Sequence, residues 1–396
     1  MADGTAVLGW AARDPSGHLS PYSFKRRVQK EDDVTIKVLF CGICHTDLHV
    51  IKNEWGNAMY PVVPGHEIVG VVSGVGGGVT KFKAGDMVGV GYFVNSCGSC
   101  DSCGEGYDNY CPTSVITSNG TDYDGATTRG GFSDVLVVKQ DFVVRVPGTL
   151  PPEGAAPLLC AGVTVYSPMV EYGLNAPGKH LGVVGLGGLG HLGVKFGKAF
   201  GMKVTVISTS PSKREEALER LGAPAVLPSR GGEEMAAAAA TMDGIIDTVS
   251  AGHPLVPLLS LLKPKGQMVV VGAPSTPLQL PAIAIIDGGK RVAGSGGQRG
   301  RVPGDAGLRR GARHRGGRGG GRHGRRERRH RPPREERREV PLRRRRRRHH
   351  TRRAGLGSHS RSFWRVGVQA CASTVSSCLR LACIRVTSVA SCRRLV

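Results

Sequence analysis

Lysine is absent from the last quarter of this chain. The last one is Lys290, and residues 298–396 contain 30 arginines and none. Arms that bind nucleic acid usually mix the two cations, so this argues against such an arm despite a formal net charge of +23 over 396 residues. The rest of the chain lacks charge excess altogether: residues 1–297 carry 24 basic and 26 acidic side chains. No apolar run reaches membrane-spanning length, and no charged start, apolar stretch and small-residue cleavage site marks a secretory leader, so a cytoplasmic protein is expected. Cysteines spread for disulfides are also missing. Seven of the 11 fall before residue 161 in short-spaced groups, and in a reducing compartment such groups read as metal ligands. The other four lie beyond residue 370.

What is present is enough chain for two domains with their own cores. VTIKVLF (34–40), IVGVVSGV (68–75), DMVGVGYF (86–93) and FSDVLVV (132–138) are short, glycine-punctuated β runs, which predict a compact β-rich first domain over 1–155. From about residue 180 the pattern becomes strand, glycine turn, helix, strand: HLGVVGLGGLGHLGVKFGKAFG, then KVTVIS (203–208), the charged helix SKREEALERLG, DGIIDTV, GQMVVVG and RVAGS (291–295). This alternation predicts a doubly wound parallel sheet, a cofactor domain over 156–297, within an α/β fold. No periodicity follows Gly297, and no fold is predicted for 298–396.

Two cysteine arrangements point to metal. Cys97, Cys100, Cys103 and Cys111 form C-x2-C-x2-C-x7-C, four thiolates that close a tetrahedral zinc site and leave no open position, hence a structural ion. Such an ion contributes on the order of 10 kcal/mol to folding, enough to hold a long loop. GICHTDLH and GHE supply Cys44, His66 and Glu67, half of a catalytic site. Cys160, alone in LLCAGVTVY, is a candidate third ligand; the other reading is a small buried apolar residue. Three protein ligands would leave a position for a substrate oxygen.

GLGGLG, Gly185, Leu186, Gly187, Gly188, Leu189 and Gly190, follows an apolar strand and opens a helix, the context a dinucleotide fingerprint requires. At the end of the next strand, where an NAD enzyme places an acid on the ribose, the chain reads Ser208, Thr209, Ser210, Pro211, Ser212, Lys213. Hydroxyls and a cation suit a 2′-phosphate, which favours NADP. Alternatively Ser212 caps the following helix and Lys213 is solvated.

In order and spacing, CGICHTDLH, PGHEIVG, the four-cysteine loop, RGGFSD, PLLCAGVTVYSPM and GLGGLGHLGVKFGKAFG resemble the zinc-dependent medium-chain alcohol dehydrogenases, and within them the plant cinnamyl alcohol dehydrogenase family, over residues 1–297. The resemblance implies a GroES-like catalytic domain, a Rossmann cofactor domain, two zinc ions per chain, NADP, and reduction of cinnamyl-type aldehydes to alcohols for lignin and phenylpropanoids. It implies that Cys44, His66 and Cys160 bind the catalytic zinc with Glu67 as an alternative ligand. It further implies that Thr46 bonds the substrate oxygen and passes a proton to His49 at the surface, and that Thr164, Thr248 and Gly272 line the cofactor. Asp47 is either a second-layer partner of the metal ligands or an ordinary cap carboxylate. Ile116 stands where lignin enzymes of the family tend to carry a bulky aromatic, so broader aldehyde use is equally expected. A polyol dehydrogenase of the mannitol type is the alternative enzyme, and an inactive dinucleotide-binding protein with a basic nucleic-acid-binding tail the alternative outside enzymes. The family forms homodimers through edge strands of its cofactor domains; here that edge is RVAGS, beside the arginine run, so dimerisation is not carried over.

The run itself has a coding explanation. Read one base downstream from Gln298, the degenerate codons permit SVAECQAMLDFAGEHGIAADVEVVGM, and across Glu339–His349 they permit RYRFVVDVAG; both resemble the family's continuation. The tail is therefore read as a shifted frame of the enzyme's own C-terminal region, followed after about residue 350 by sequence not normally translated.

Overall fold

The structure, a computed structural model, describes residues 4–297 and the backbone of Cys383–Arg385. The strand Asp33–Gly42 alternates as its sequence predicts, with Val34, Ile36 and Val38 buried and Lys37 exposed. It pairs antiparallel with Ile68–Val75 on one side and Val135–Lys139 on the other, and Met87–Val90 and Val144–Arg145 extend the sheet. These strands enclose an apolar core with Phe132, Leu136 and Phe142. The hairpin of Ala6–Ala12 and Leu19–Lys25, absent from the strand pattern above, lies on this core through Ala11 and Trp10.

The run 86–93 is not one strand. It ends at Val90, the Gly91 and Tyr92 carbonyls accept bonds from Thr117, and a new strand, Phe93–Asn95, pairs with Val115–Ile116. These two paired strands thus bracket the loop that carries the four cysteines.

The second sheet has six parallel strands in the order Ala225–Pro228, Lys203–Ser208, His180–Val184, Met242–Asp247, Leu262–Val270, Arg291–Gly294. Counted along the chain this is 3-2-1-4-5-6, the doubly wound order, with its reversal between His180–Val184 and Met242–Asp247. Leu181, Val183, Val204, Val206, Ile245 and Ile246 are all buried, as expected where helices cover both faces. SKREEALERLG departs from a regular helix: one α turn, Lys213–Glu215, passes into a π turn, Glu216–Arg220. The helix Ala161–Glu171 packs on Gly188–Ala199, with Tyr166 edge-on to Phe196 at 5.3 Å. It therefore carries Cys160 at its start to the boundary between catalytic and cofactor sheets.

The expectations for 298–396, a shifted frame and no fold, lie outside the described residues except at Cys383–Arg385. There the backbone forms a strand antiparallel to Phe40–Gly42, a correction to a tail without any element. Pairing with Val135–Lys139 stops at Lys37, with one further bond from the Val38 N–H to the Asp134 carbonyl, and the Cys383–Arg385 backbone takes up the edge from Phe40 to Gly42.

Candidate active site

Cys44 ends an extended stretch and starts the helix His45–Ile51, while His66 follows the turn after Pro64. The ligand atoms of Cys44, His66 and Cys160 lie within 4.8 Å of one another, with the two sulfurs 3.9 Å apart. Asp47, fully buried, organises this group. Its Oδ2 accepts the Cys44 backbone N–H at 2.9 Å; its Oδ1 accepts the Gly65 N–H at 2.9 Å and lies 3.1 Å from His66 Nδ1. Asp47 thus both caps the helix and engages the His66 ring. With Nδ1 engaged, the buried His66 Nε2 has no hydrogen-bond partner among the described residues and is the ring atom left for a metal.

The electrostatics fit a cation. A hydrogen bond with the Cys160 thiol, helped by His66, holds Cys44 well below the ordinary thiol range against its burial. The same bond, with burial, pushes Cys160 up. Burial would lower His66, but the charge and hydrogen bond of Asp47 raise it well above its usual value. Burial, and next the charge on Cys44, push Glu67 to about 8. This much suppressed negative charge in one buried space suits a divalent ion with N and S ligands. Glu67 itself lies outside the three-ligand group: its carboxyl packs against Gly42 and accepts the Ala161 N–H.

Thr46, half-buried, directs its backbone N–H at the Cys44 sulfur. His49 is not at the surface as expected. It is 3% exposed, because it stacks under Trp55 at 4.7 Å and meets the tilted ring of His45 at the same distance. Its Nδ1 lies 2.6 Å from Glu54 Oε2, and its Nε2 is unpartnered among the described residues. Glu54, 37% exposed at its side chain, is the group that meets solvent. Sequence reading missed it, although its place five residues after His49 was visible. It also missed Tyr92, whose ring meets His66 edge-on at 5.2 Å. Ile116 pairs with Phe93, the neighbour of Tyr92, and so lies at one strand's distance from this ring.

The four-cysteine loop also closes. The sulfurs of Cys97, Cys100, Cys103 and Cys111 lie within 4.8 Å of one another. The Ser99 and Cys100 backbone N–H groups draw the Cys97 thiol down to about 6. Four sulfurs so close, with the Cys97 thiolate already favoured, fit a structural zinc ion.

At the reversal of the second sheet, Gly185 takes φ +84°, and a Cβ on Gly190 would come 2.1 Å from the Gly185 carbonyl oxygen. Leu186 and Leu189 turn into the core, so the turn presents backbone. Gly187 stands before the helix Gly188–Ala199 with no side-chain cap and open space around it, leaving the first amides, Gly188 among them, to an anion. Thr248 Oγ1 bonds the Val184 carbonyl at 2.7 Å across the crevice, and Gly272 packs against Val249 where no Cβ would fit. Thr164, one turn beyond Cys160, touches Gly297. In the serine loop Ser210 Oγ lies 2.8 Å from Ser212 Oγ, and the Ser210 N–H bonds Ser208 Oγ; Thr209 and Pro211 are exposed. Ser212 is no side-chain cap, since its hydroxyl is turned to Ser210, and Lys213 is not simply solvated, since it pairs with Glu216 at 2.8 Å.

Comparison with known proteins agrees with this layout. Residues 30–148 match the alcohol dehydrogenase GroES-like domain, and residues 188–306 match the zinc-binding dehydrogenase domain. A probable cinnamyl alcohol dehydrogenase of Oryza sativa subsp. japonica is 88% identical over 295 residues, 74% of this chain and 82% of that protein. A probable mannitol dehydrogenase of Mesembryanthemum crystallinum is 61% identical over 289 residues, 73% of this chain and 80% of that protein. Among solved structures, a cinnamyl alcohol dehydrogenase of Sorghum bicolor has a TM-score of 0.75 at 75% identity, covering 76% of this chain and 86% of its own. The CAD of Helicobacter pylori complexed with NADP(H) has a TM-score of 0.71 at 36% identity over the same shares. Likeness at this level, over most of each relative's length, establishes descent: the chain belongs to the cinnamyl alcohol dehydrogenase family of zinc-binding dehydrogenases.

Proposed function

We propose that the chain is an NADP-dependent oxidoreductase that interconverts cinnamyl-type aldehydes and their alcohols. The observation that carries this is the convergence of Cys44, His66 and Cys160 within 4.8 Å beside a cofactor crevice whose second strand ends in hydroxyls and a lysine rather than an acid. The rice and sorghum relatives carry the cinnamyl name, and the Helicobacter pylori structure holds NADP(H).

In this reading Cys44, His66 and Cys160 hold the catalytic zinc, and the four-cysteine loop holds a second ion. The catalytic ion supplies Lewis acidity that polarises the carbonyl. Asp47 keeps His66 oriented through Nδ1 and ties the same ligand to Cys44 and Gly65. Thr46 would offer its hydroxyl to the substrate oxygen, and His49, whose Nε2 has no partner among the described residues, would hold the proton exchanged there. Glu54, on Nδ1, carries that proton to solvent. Gly185–Gly190 receive the pyrophosphate, Thr164, Thr248 and Gly272 line the crevice, and Ser208–Lys213 receive the 2′-phosphate.

The domain limits, 1–155 and 156–297, belong to the same proposal; the 155/156 boundary falls between the two family matches. So does a cytoplasmic setting, where thiol ligands stay reduced. Among the described residues no helix is long and apolar enough to cross a membrane. The homodimer of the family is not part of the proposal: Arg291–Gly294 is the outer strand of this sheet and stands directly before the arginine run.

The mannitol-type relative favours one second reading, a polyol dehydrogenase. Following NADPH oxidation with cinnamaldehyde against NADP reduction with mannitol decides between them. Turnover of mannitol without cinnamaldehyde would overturn the first reading.

A further inference from the structure

The pyrophosphate turn and the serine loop are joined by one carboxylate that neither motif contains. Glu216 Oε1 lies 2.8 Å from His191 Nε2, and its Oε2 accepts from Lys213 Nζ at 2.8 Å. His191 sits on the helix that begins after Gly187, and its Nδ1 lies 2.7 Å from the Gly187 carbonyl. Glu216, three residues beyond Lys213 and one turn along the same helix, faces it as i,i+3 neighbours do. The Lys213 bond, then that of His191, holds the Glu216 carboxyl below its usual range, so it is an anion at neutral pH.

We propose that Glu216 is a specificity-determining residue, a built-in stand-in for the 2′-phosphate that occupies Lys213 until NADPH displaces it. This rests on the NADP reading above. The physical case has three parts. A phosphate must take the ammonium from an existing partner, so NADPH gains only the difference between two ionic contacts. A cofactor without the phosphate leaves Lys213 paired, so NADH meets no orphaned cation. Exchange does not strand Glu216, because His191 remains bonded to its other oxygen. A 2′-phosphate carries more charge than a carboxylate, so exchange still runs toward NADPH. The net effect of Glu216 is to narrow the gap between the two cofactors.

Lys213 and Glu216 are 41% and 28% exposed at their side chains, so the effect is that of a half-exposed pair. The test is calorimetric titration of the full-length chain, wild type and Glu216→Gln, with 2′,5′-ADP and with 5′-AMP. The expected result is affinity for 2′,5′-ADP raised about two- to fivefold in the variant, with 5′-AMP unchanged; the latter also reports an intact fold. The gain should vanish when Glu216→Gln is made in a Lys213→Ala background. Equal changes for both nucleotides, or weaker 2′,5′-ADP binding, would overturn the proposal. If wild type binds 5′-AMP as tightly as 2′,5′-ADP, the NADP reading falls, and this proposal with it.

Discussion

Replacing Asp47 by Asn tests the logic of the metal site at its most connected atom pair. The carboxylate takes three donors, the Cys44 N–H, the Gly65 N–H and His66 Nδ1, all inside the protein. Asparagine keeps one acceptor oxygen. Placed toward Gly65 and His66, it turns its NH2 against the Cys44 N–H, so one charge-assisted bond is lost and a donor faces a donor. That costs about 1.5–3 kcal/mol of stability. The two surviving bonds become neutral ones, so His66 is oriented less firmly and affinity for the catalytic ion should fall about ten- to a hundredfold. Chelator competition on the isolated chain would read this directly, because the four-cysteine loop makes no bond to Asp47 and serves as an internal reference. One of two zinc equivalents should be released at lower chelator concentration, the other unchanged. Retention of both at wild-type affinity would refute the orienting role. Parallel loss of both would show that Asp47 supports the fold and not the site.

Glu54→Gln leaves a neutral partner on His49 Nδ1; turnover should drop about ten- to a hundredfold with zinc content intact, and unchanged turnover would remove Glu54 from the relay. Cys111→Ser takes one of four thiolates from the loop, and zinc per chain should fall from two to one with a lowered thermal midpoint; elemental analysis and a melting curve check both. Gly190→Ala places a Cβ 2.1 Å from the Gly185 carbonyl oxygen. The turn must shift, at about 1–3 kcal/mol, and NADPH affinity measured by fluorescence titration should fall at least about tenfold.

Local rules made much of this protein legible in its sequence. A four-thiolate loop needs only short spacings, a dinucleotide turn only a strand, glycines and a helix, and both stand where they were read. The strands His180–Val184, Lys203–Ser208 and Met242–Asp247 announce themselves because a sheet covered on both faces demands continuous apolar runs. The hairpin of AVLGWAA and LSPYSFK did not, since alanine, glycine and proline carry little β signal. Tertiary structure decided what depends on distant chain. Cys160 lies 116 residues from Cys44, and only the helix it heads, packed on the cofactor domain, brings the two sulfurs to 3.9 Å. His49 reads as a surface histidine until Trp55 covers it, and Lys213 as a free cation until the helix turn brings Glu216 onto it. The sequence by itself marked which groups have the chemistry for metal and phosphate, because those preferences belong to residue types; packing alone settled which of them meet, because burial and neighbouring charge are properties of the folded surroundings.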